Sequence, residues 1–193
     1  MRYYPQQLDP AAQAALLGAI REIIAEAPLY TPTMPRSGNP MSVRMTNAGL
    51  LGWMTDKERG YRYQATHPET QKSWPAIPKM LLDLWGALAD YPHPPEACLI
   101  NYYKGAAKMG LHQDRDEEDF AAPVLSVSLG DTGIFRVGGT SRKDPTQKFE
   151  LKSGDVFVLD GADRLAFHGI DRILPGTSEL LPEGGRFNLT SVA

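Results

Sequence analysis

Apolar residues recur at helical spacing near the start of the chain: Leu16, Leu17, Ile20, Ile23, Ile24 and Ala27. Together they predict an amphipathic helix over Pro10–Ala27. Asp9 supplies an N-cap and Pro10 suits the first turn, while Pro28 and Pro32 close the segment. Residues 31–41, rich in Pro, Thr, Gly and Asn, read as a loop. Met41–Thr46 and Gly60–Gln64 read as short strands, with Trp53 on the connection between them. A second helix is predicted from Ile77 to Asp90, where Met80, Leu81, Leu84, Trp85 and Leu88 form one stripe. The proline-rich stretch Tyr91–Pro95 ends it.

The texture changes after Ala97. Strand-like runs follow at Cys98–Lys104, Pro123–Leu129, Ile134–Val137, Lys148–Leu151, Val156–Leu159, Leu165–Ile173 and Phe187–Val192. Glycine-rich turns separate several of them, as at Gly130–Gly133 and Gly138–Gly139. Strands without intervening helical patterns point to an antiparallel sandwich or jelly roll. The expected class is therefore α+β, with N-terminal helices packed on a β-sandwich in a single domain over residues 1–193.

Composition narrows the function classes. With 193 residues, 42% hydrophobic and 22% charged, the chain can bury a full core. No run of 18 apolar residues is present and no export pattern opens the chain, so the expected location is the cytoplasm, away from membranes. A single cysteine, Cys98, excludes an intrachain disulfide framework and any multi-cysteine metal site. A net charge of −3 argues against a uniformly cationic nucleic-acid binder.

Candidate chemistry lies in the second half. His112 and Asp114 are two residues apart beside a strand-like segment, a spacing that can aim both at one ion. His168 sits in a later strand. Two histidines and one carboxylate form the facial triad of non-haem Fe(II) oxygenases, which leaves positions open for a chelating co-substrate and O2. On the last strand Arg186, Asn188 and Thr190 alternate, and an arginine in an otherwise apolar strand needs an anion. Asn101 and Tyr103 offer further polar groups from the strand before the His-x-Asp pair. A dicarboxylic keto acid, chelating the metal at one end and gripped by Arg186 at the other, fits this set. Trp74 and Trp85 are assigned to packing, Cys98 to a buried strand, and His67 and His93 to surface loops.

Several stretches together resemble the AlkB-like dioxygenases that repair alkylated nucleic acids, the bacterial members above all. They are Met41–Asn47, Leu51–Trp53, Gly60–Tyr63, Trp74–Pro78, Cys98–Tyr103, Leu111–Asp116, Val127–Gly130, Phe167–Gly169 and Arg186–Thr190. The resemblance spans about Met41 to Thr190, and it implies a double-stranded β-helix core of the Fe(II)/2-oxoglutarate oxygenase type. The implied layout is an N-terminal helix and loop (1–40), a nucleotide-recognition lid (41–75), a supporting helix (76–96) and the catalytic core (97–193). His112, Asp114 and His168 match the family's iron ligands, and Asn101, Tyr103, Arg186 and Asn188 match its 2-oxoglutarate contacts. Trp53 and His112 would sandwich a flipped base, with Tyr61, Tyr63, Asp116 and Arg142 as further substrate contacts. The implied cofactors are Fe(II), 2-oxoglutarate and O2. The implied partner is alkylated single- or double-stranded DNA, with RNA as a second polymer, no obligate protein partner and a monomeric enzyme.

One departure stands out. The family's last strand carries a second arginine six residues after the first, and Val192 occupies that place here. Weaker 2-oxoglutarate binding is the expected consequence. Two other readings follow: a nucleic-acid-binding homologue that has lost turnover, or an oxygenase acting on a substrate other than nucleic acid. Charge is also uneven. Residues 31–64 hold five bases (Arg36, Arg44, Lys57, Arg59, Arg62) against Asp56 and Glu58, while 114–119 hold five acids and Arg115. A local surplus of this kind suits a grip on a few phosphates.

Overall fold

The computed structural model describes residues 1–193. Its framework is two antiparallel sheets facing each other, with helices covering the outer face of the larger one. In chain order the elements are β1 (Arg2–Tyr4), α1 (Pro10–Glu26), β2 (Arg44–Gly49), β3 (Gly52–Asp56), β4 (Gly60–Gln64) and α2 (Lys79–Leu88). They continue with β5 (Ala97–Tyr103), β6 (Met109–His112), β7 (Val124–Gly130), β8 (Thr132–Val137), β9 (Gln147–Leu151) and β10 (Val156–Leu159). A 3-10 turn (Gly161–Asp163), β11 (His168–Leu174) and β12 (Arg186–Val192) complete the chain. The larger sheet has the order β1-β10-β7-β12-β5-β2, the smaller β6-β11-β8-β9, and β3-β4 form a separate hairpin.

The period-two pattern of the large sheet divides the molecule into two cores. Leu125, Val127, Leu129, Val156, Val158, Phe187 and Leu189 face outward, where they pack with Leu16, Leu17, Ile20 and Ile23 of α1 and Leu81, Leu84 and Trp85 of α2. Alternate residues Ala97, Val124, Phe157, Leu159 and Val192 face inward, with Phe135, Val137, Leu151 and Ile170 of the small sheet. Helix α1 starts where the sequence predicts, because the Asp9 side chain accepts a hydrogen bond from the Ala12 amide at 2.8 Å. Trp74 and Trp85 are buried packing residues, as expected. No helix is long and apolar enough to cross a membrane.

Local differences from the sequence reading have physical causes. Trp53 lies within strand β3, directly paired with Tyr63 of β4. Strand β11 begins at His168, because the Leu165–Phe167 stretch follows a 3-10 turn instead of extending the ladder. Strand β1, only three residues long, adds to the edge of the large sheet through β10 and is too short to leave a periodic signal.

His67 corrects an expectation: it is fully buried, not a surface residue. Its ring packs edge-on against Tyr30 and Trp74. Nδ1 accepts from the Glu69 and Thr70 amides, so the proton resides on Nε2 and is donated to the Pro28 carbonyl at 2.8 Å. The flanking proline marks a tight loop that folds over its own histidine. His93 is exposed.

Candidate active site

Sheet register brings the metal-ligating side chains together. His168, first in β11, pairs directly with His112, last in β6, and their ring centroids are 4.5 Å apart. Gly169 permits this close approach, since a Cβ there would sit 2.8 Å from the Gly110 carbonyl oxygen. Asp114 lies just past the end of β6, with Oδ1 3.5 Å from His112 Nε2 and Oδ2 3.4 Å from His168 Nε2. One ligand atom from each residue lies within 4.8 Å of the others, a cluster able to hold one metal ion.

Hydrogen bonds on the far sides of the rings orient both imidazoles. His112 Nδ1 donates to the Gly110 carbonyl and His168 Nδ1 to the Ala166 carbonyl, each at 2.9 Å. That tautomer leaves both Nε2 lone pairs aimed at the centre. Burial would raise the Asp114 carboxyl, but the two histidines override it and hold it well below its ordinary value. Burial would lower His112, yet the neighbouring Asp114 carboxylate keeps it raised. The triad is a charged carboxylate between two imidazoles, a donor set that fits Fe(II).

A cavity of about 1070 Å3 surrounds this cluster. At its deep end strand register sets Arg186 beside Tyr103 and Asn188 beside Asn101, so the four polar residues expected to meet a co-substrate share one patch. Arg186 is fully buried, and one terminal nitrogen donates to Ser128 Oγ at 3.0 Å. Its Nε and Nη1, together with Asn101 Oδ1, have no partner. Burial lowers the Arg186 guanidinium to about 10, against the opposing influence of Tyr103 and Asp155. Burial likewise pushes the Tyr103 hydroxyl up to about 12. An unpaired buried donor costs about 1–3 kcal/mol, more when charged, so the two free Arg186 nitrogens fit an anionic ligand such as the distal carboxylate of 2-oxoglutarate. Gly133 makes room for the guanidinium, for a Cβ there would lie 2.8 Å from Arg186 Nε. Val192 is buried and lines the same cavity as an apolar wall.

The mouth is built differently. Trp53 stacks on Tyr61 at 5.6 Å between centroids, and its indole nitrogen donates to Asp116 at 2.8 Å. The Tyr63 hydroxyl donates to Glu117 at 2.6 Å. Arg142 donates to the Leu111 carbonyl at 3.0 Å, with its guanidinium over the Phe167 ring. Not every base of the lid is free to reach a phosphate, because Arg62 pairs with Asp56 at 2.6 Å and Arg44 donates to the Leu29 carbonyl. Of the lid bases only Arg36 lines the cavity, joined there by Lys108, Arg115 and Arg142 from other segments.

Two residues that sequence reasoning passed over hold the metal-ligand segment in place. Arg164 and Glu117 form an ion pair at 3.0 Å, with side chains 2% and 5% exposed. The available signal was slight: an arginine four residues ahead of His168, leading into an apolar stretch.

A triad with one half-buried carboxylate, open positions and an anion-ready pocket within a jelly roll defines an Fe(II)/2-oxoglutarate-dependent oxygenase. The family model described as the 2OG-Fe(II) oxygenase superfamily matches residues 1–191. The chain is 56% identical over 187 residues to the alpha-ketoglutarate-dependent dioxygenase AlkB homolog of Caulobacter vibrioides, covering 97% of this chain and 84% of that protein. It is 43% identical to the alpha-ketoglutarate-dependent dioxygenase AlkB of Escherichia coli, covering 93% and 83%. Among solved structures, that of OsALKBH1 superposes with a TM-score of 0.82 at 32% identity, covering 98% of this chain and 95% of that one. The chain belongs to the AlkB family of these oxygenases.

Proposed function

We propose that this enzyme removes methyl groups oxidatively from N1-methyladenine and N3-methylcytosine in DNA, with RNA as a second substrate. One O2 and one 2-oxoglutarate are consumed, succinate and CO2 are released, and the methyl carbon leaves as formaldehyde. The observation that carries the reading is the polarity of one cavity. Its lining runs from the fully buried Arg186, with two unpaired nitrogens, through the His-Asp-His cluster to the half-buried Trp53 and the exposed Tyr61 and Asp116.

His112, Asp114 and His168 would hold Fe(II), which when bound supplies the oxidising chemistry. Arg186 and Asn101, with Tyr103 and Asn188 beside them, orient 2-oxoglutarate toward the metal. Trp53 and His112 flank the base, and Tyr61 and Tyr63 position it from the hairpin. Both lesions are cationic, so aromatic faces and the Asp116 carboxylate favour them over the neutral bases. Extruding a base costs a few kcal/mol, less where methylation has already blocked pairing. Exposed Arg36, Lys108, Arg115 and Arg142 around the rim suit a short stretch of phosphates.

The reading takes residues 1–193 as a single catalytic domain and the enzyme as a cytoplasmic monomer. The pairing of β1 with β10 supports the single unit, and the lone buried Cys98 suits a reducing compartment. The test is formaldehyde release from a single-stranded oligonucleotide carrying one N1-methyladenine, as DNA and as RNA, against the unmodified strand. Release from the methylated strand alone supports the assignment. Succinate formation that no methylated strand stimulates contradicts it.

A further inference from the structure

The catalytic carboxylate stands on irregular backbone. His112 and His168 belong to paired strands, but Asp114 lies in the segment 113–123, which contains no strand or helix. That segment also carries Asp116, Glu117, Glu118 and Asp119, so like-charge repulsion works against compactness. Arg164 is what gathers it. Its Nη1 donates to the Asp114 carbonyl oxygen at 2.6 Å, its Nε to the Ala122 carbonyl at 2.6 Å, and its Nη2 to Glu117 Oε2 at 3.0 Å. One buried guanidinium thus fastens the beginning, middle and end of the loop. The remaining oxygen of Glu117 accepts from the Tyr63 hydroxyl, which projects from the β3-β4 hairpin.

We propose that Arg164 is a positioning residue for the metal centre, and that Glu117 and Tyr63 connect it to the hairpin. Seating of the hairpin on a nucleic-acid strand and placement of the Asp114 carboxylate are then one linked event. The chain of contacts is short and buried: Tyr63 hydroxyl, Glu117 carboxylate, Arg164 guanidinium, Asp114 backbone. A lysine at 164 keeps the charge but has one nitrogen where three are used. A glutamine at 117 keeps the shape but removes the charge that anchors the guanidinium.

The hairpin half of this proposal rests on the nucleic-acid reading above, whereas the metal half stands on the triad alone. The test uses Co(II) titrated into the metal-free protein and followed by its ligand-field absorption. R164K and E117Q are each expected to weaken Co(II) binding about tenfold, as supporting-shell changes do, with the circular dichroism spectrum retained. A methylated oligonucleotide is expected to shift the Co(II) bands of the wild-type protein and to leave those of Y63F unmoved. Should R164K fail to fold, E117Q decides the metal half. Wild-type Co(II) affinity in a folded E117Q, or a wild-type band shift in Y63F, overturns the proposal. An oligonucleotide that moves no bands in either protein overturns the hairpin half, and catalytic demethylation of the same strand then shows that the function reading survives it.

Discussion

In the proposed function the two ends of the cavity hold a charged ligand beside a metal in opposite ways. At the closed end Arg186 sits on a strand paired on both sides, with β5 and with β7, and has no freedom to leave. Two of its nitrogens, Nε and Nη1, lack protein partners, so an anionic ligand completes hydrogen bonds whose donors are already in position. At the mouth, Trp53 and Tyr61 project from a two-stranded hairpin and are satisfied by each other and by Asp116. An entering base has to exchange these contacts for its own. The buried end is preorganised for one small anion, and the open end trades partners to admit a large, variable substrate.

Four substitutions test that contrast, in decreasing order of expected effect. His112→Ala removes a ligand shared by the whole site, and formaldehyde release from a methylated oligonucleotide is expected to vanish. Arg186→Ala strips the closed end of its cation. Charge-assisted hydrogen bonds are worth about 1.5–3 kcal/mol each, so the 2-oxoglutarate KM should rise about 100-fold or more while oligonucleotide binding, read by fluorescence anisotropy, stays put. Trp53→Ala acts at the other end. Loss of base stacking, about 1–3 kcal/mol, should raise the oligonucleotide KM about tenfold or more and leave succinate formation without substrate near its wild-type rate. A Trp53 variant that instead loses 2-oxoglutarate binding would erase the division between the two ends.

His67→Ala is the control for activity. It removes a buried ring bonded to Pro28, Glu69 and Thr70, and the loss of about 1–3 kcal/mol should appear as a lower Tm. At a temperature where the variant is folded, both KM values should match the wild type.

The same contrast explains what could be read from the chain. Strand register is regular, so alternation of Arg186, Asn188 and Thr190 and the spacing of Asn101 and Tyr103 announce a polar face directly. His112, Asp114 and His168 were legible as a chemical set, although Asp114 reaches the centre from beyond its strand's end. What escaped depends on contacts between distant segments. Arg164 meets Asp114 and Glu117 across about 50 positions of chain, and no periodicity encodes that. His67 looked like a loop residue because its burial comes from Tyr30 and Trp74, which local composition does not reveal. Val192 illustrates the reverse: the departure was plain in the sequence, and the structure gives it a place as an apolar part of the cavity wall.

In the proposed reaction one cavity couples consumption of 2-oxoglutarate to removal of a methyl group from a nucleic-acid base. This coupling is tested most directly by mixing the Fe(II)-loaded enzyme and 2-oxoglutarate, under anaerobic conditions, with a single-stranded oligonucleotide bearing one N1-methyladenine. O2 is then admitted, and succinate and repaired base are quantified together by mass spectrometry. Succinate and unmodified adenine appearing in equal amounts is the predicted result. Succinate accumulating while the methylated base stays intact would contradict it.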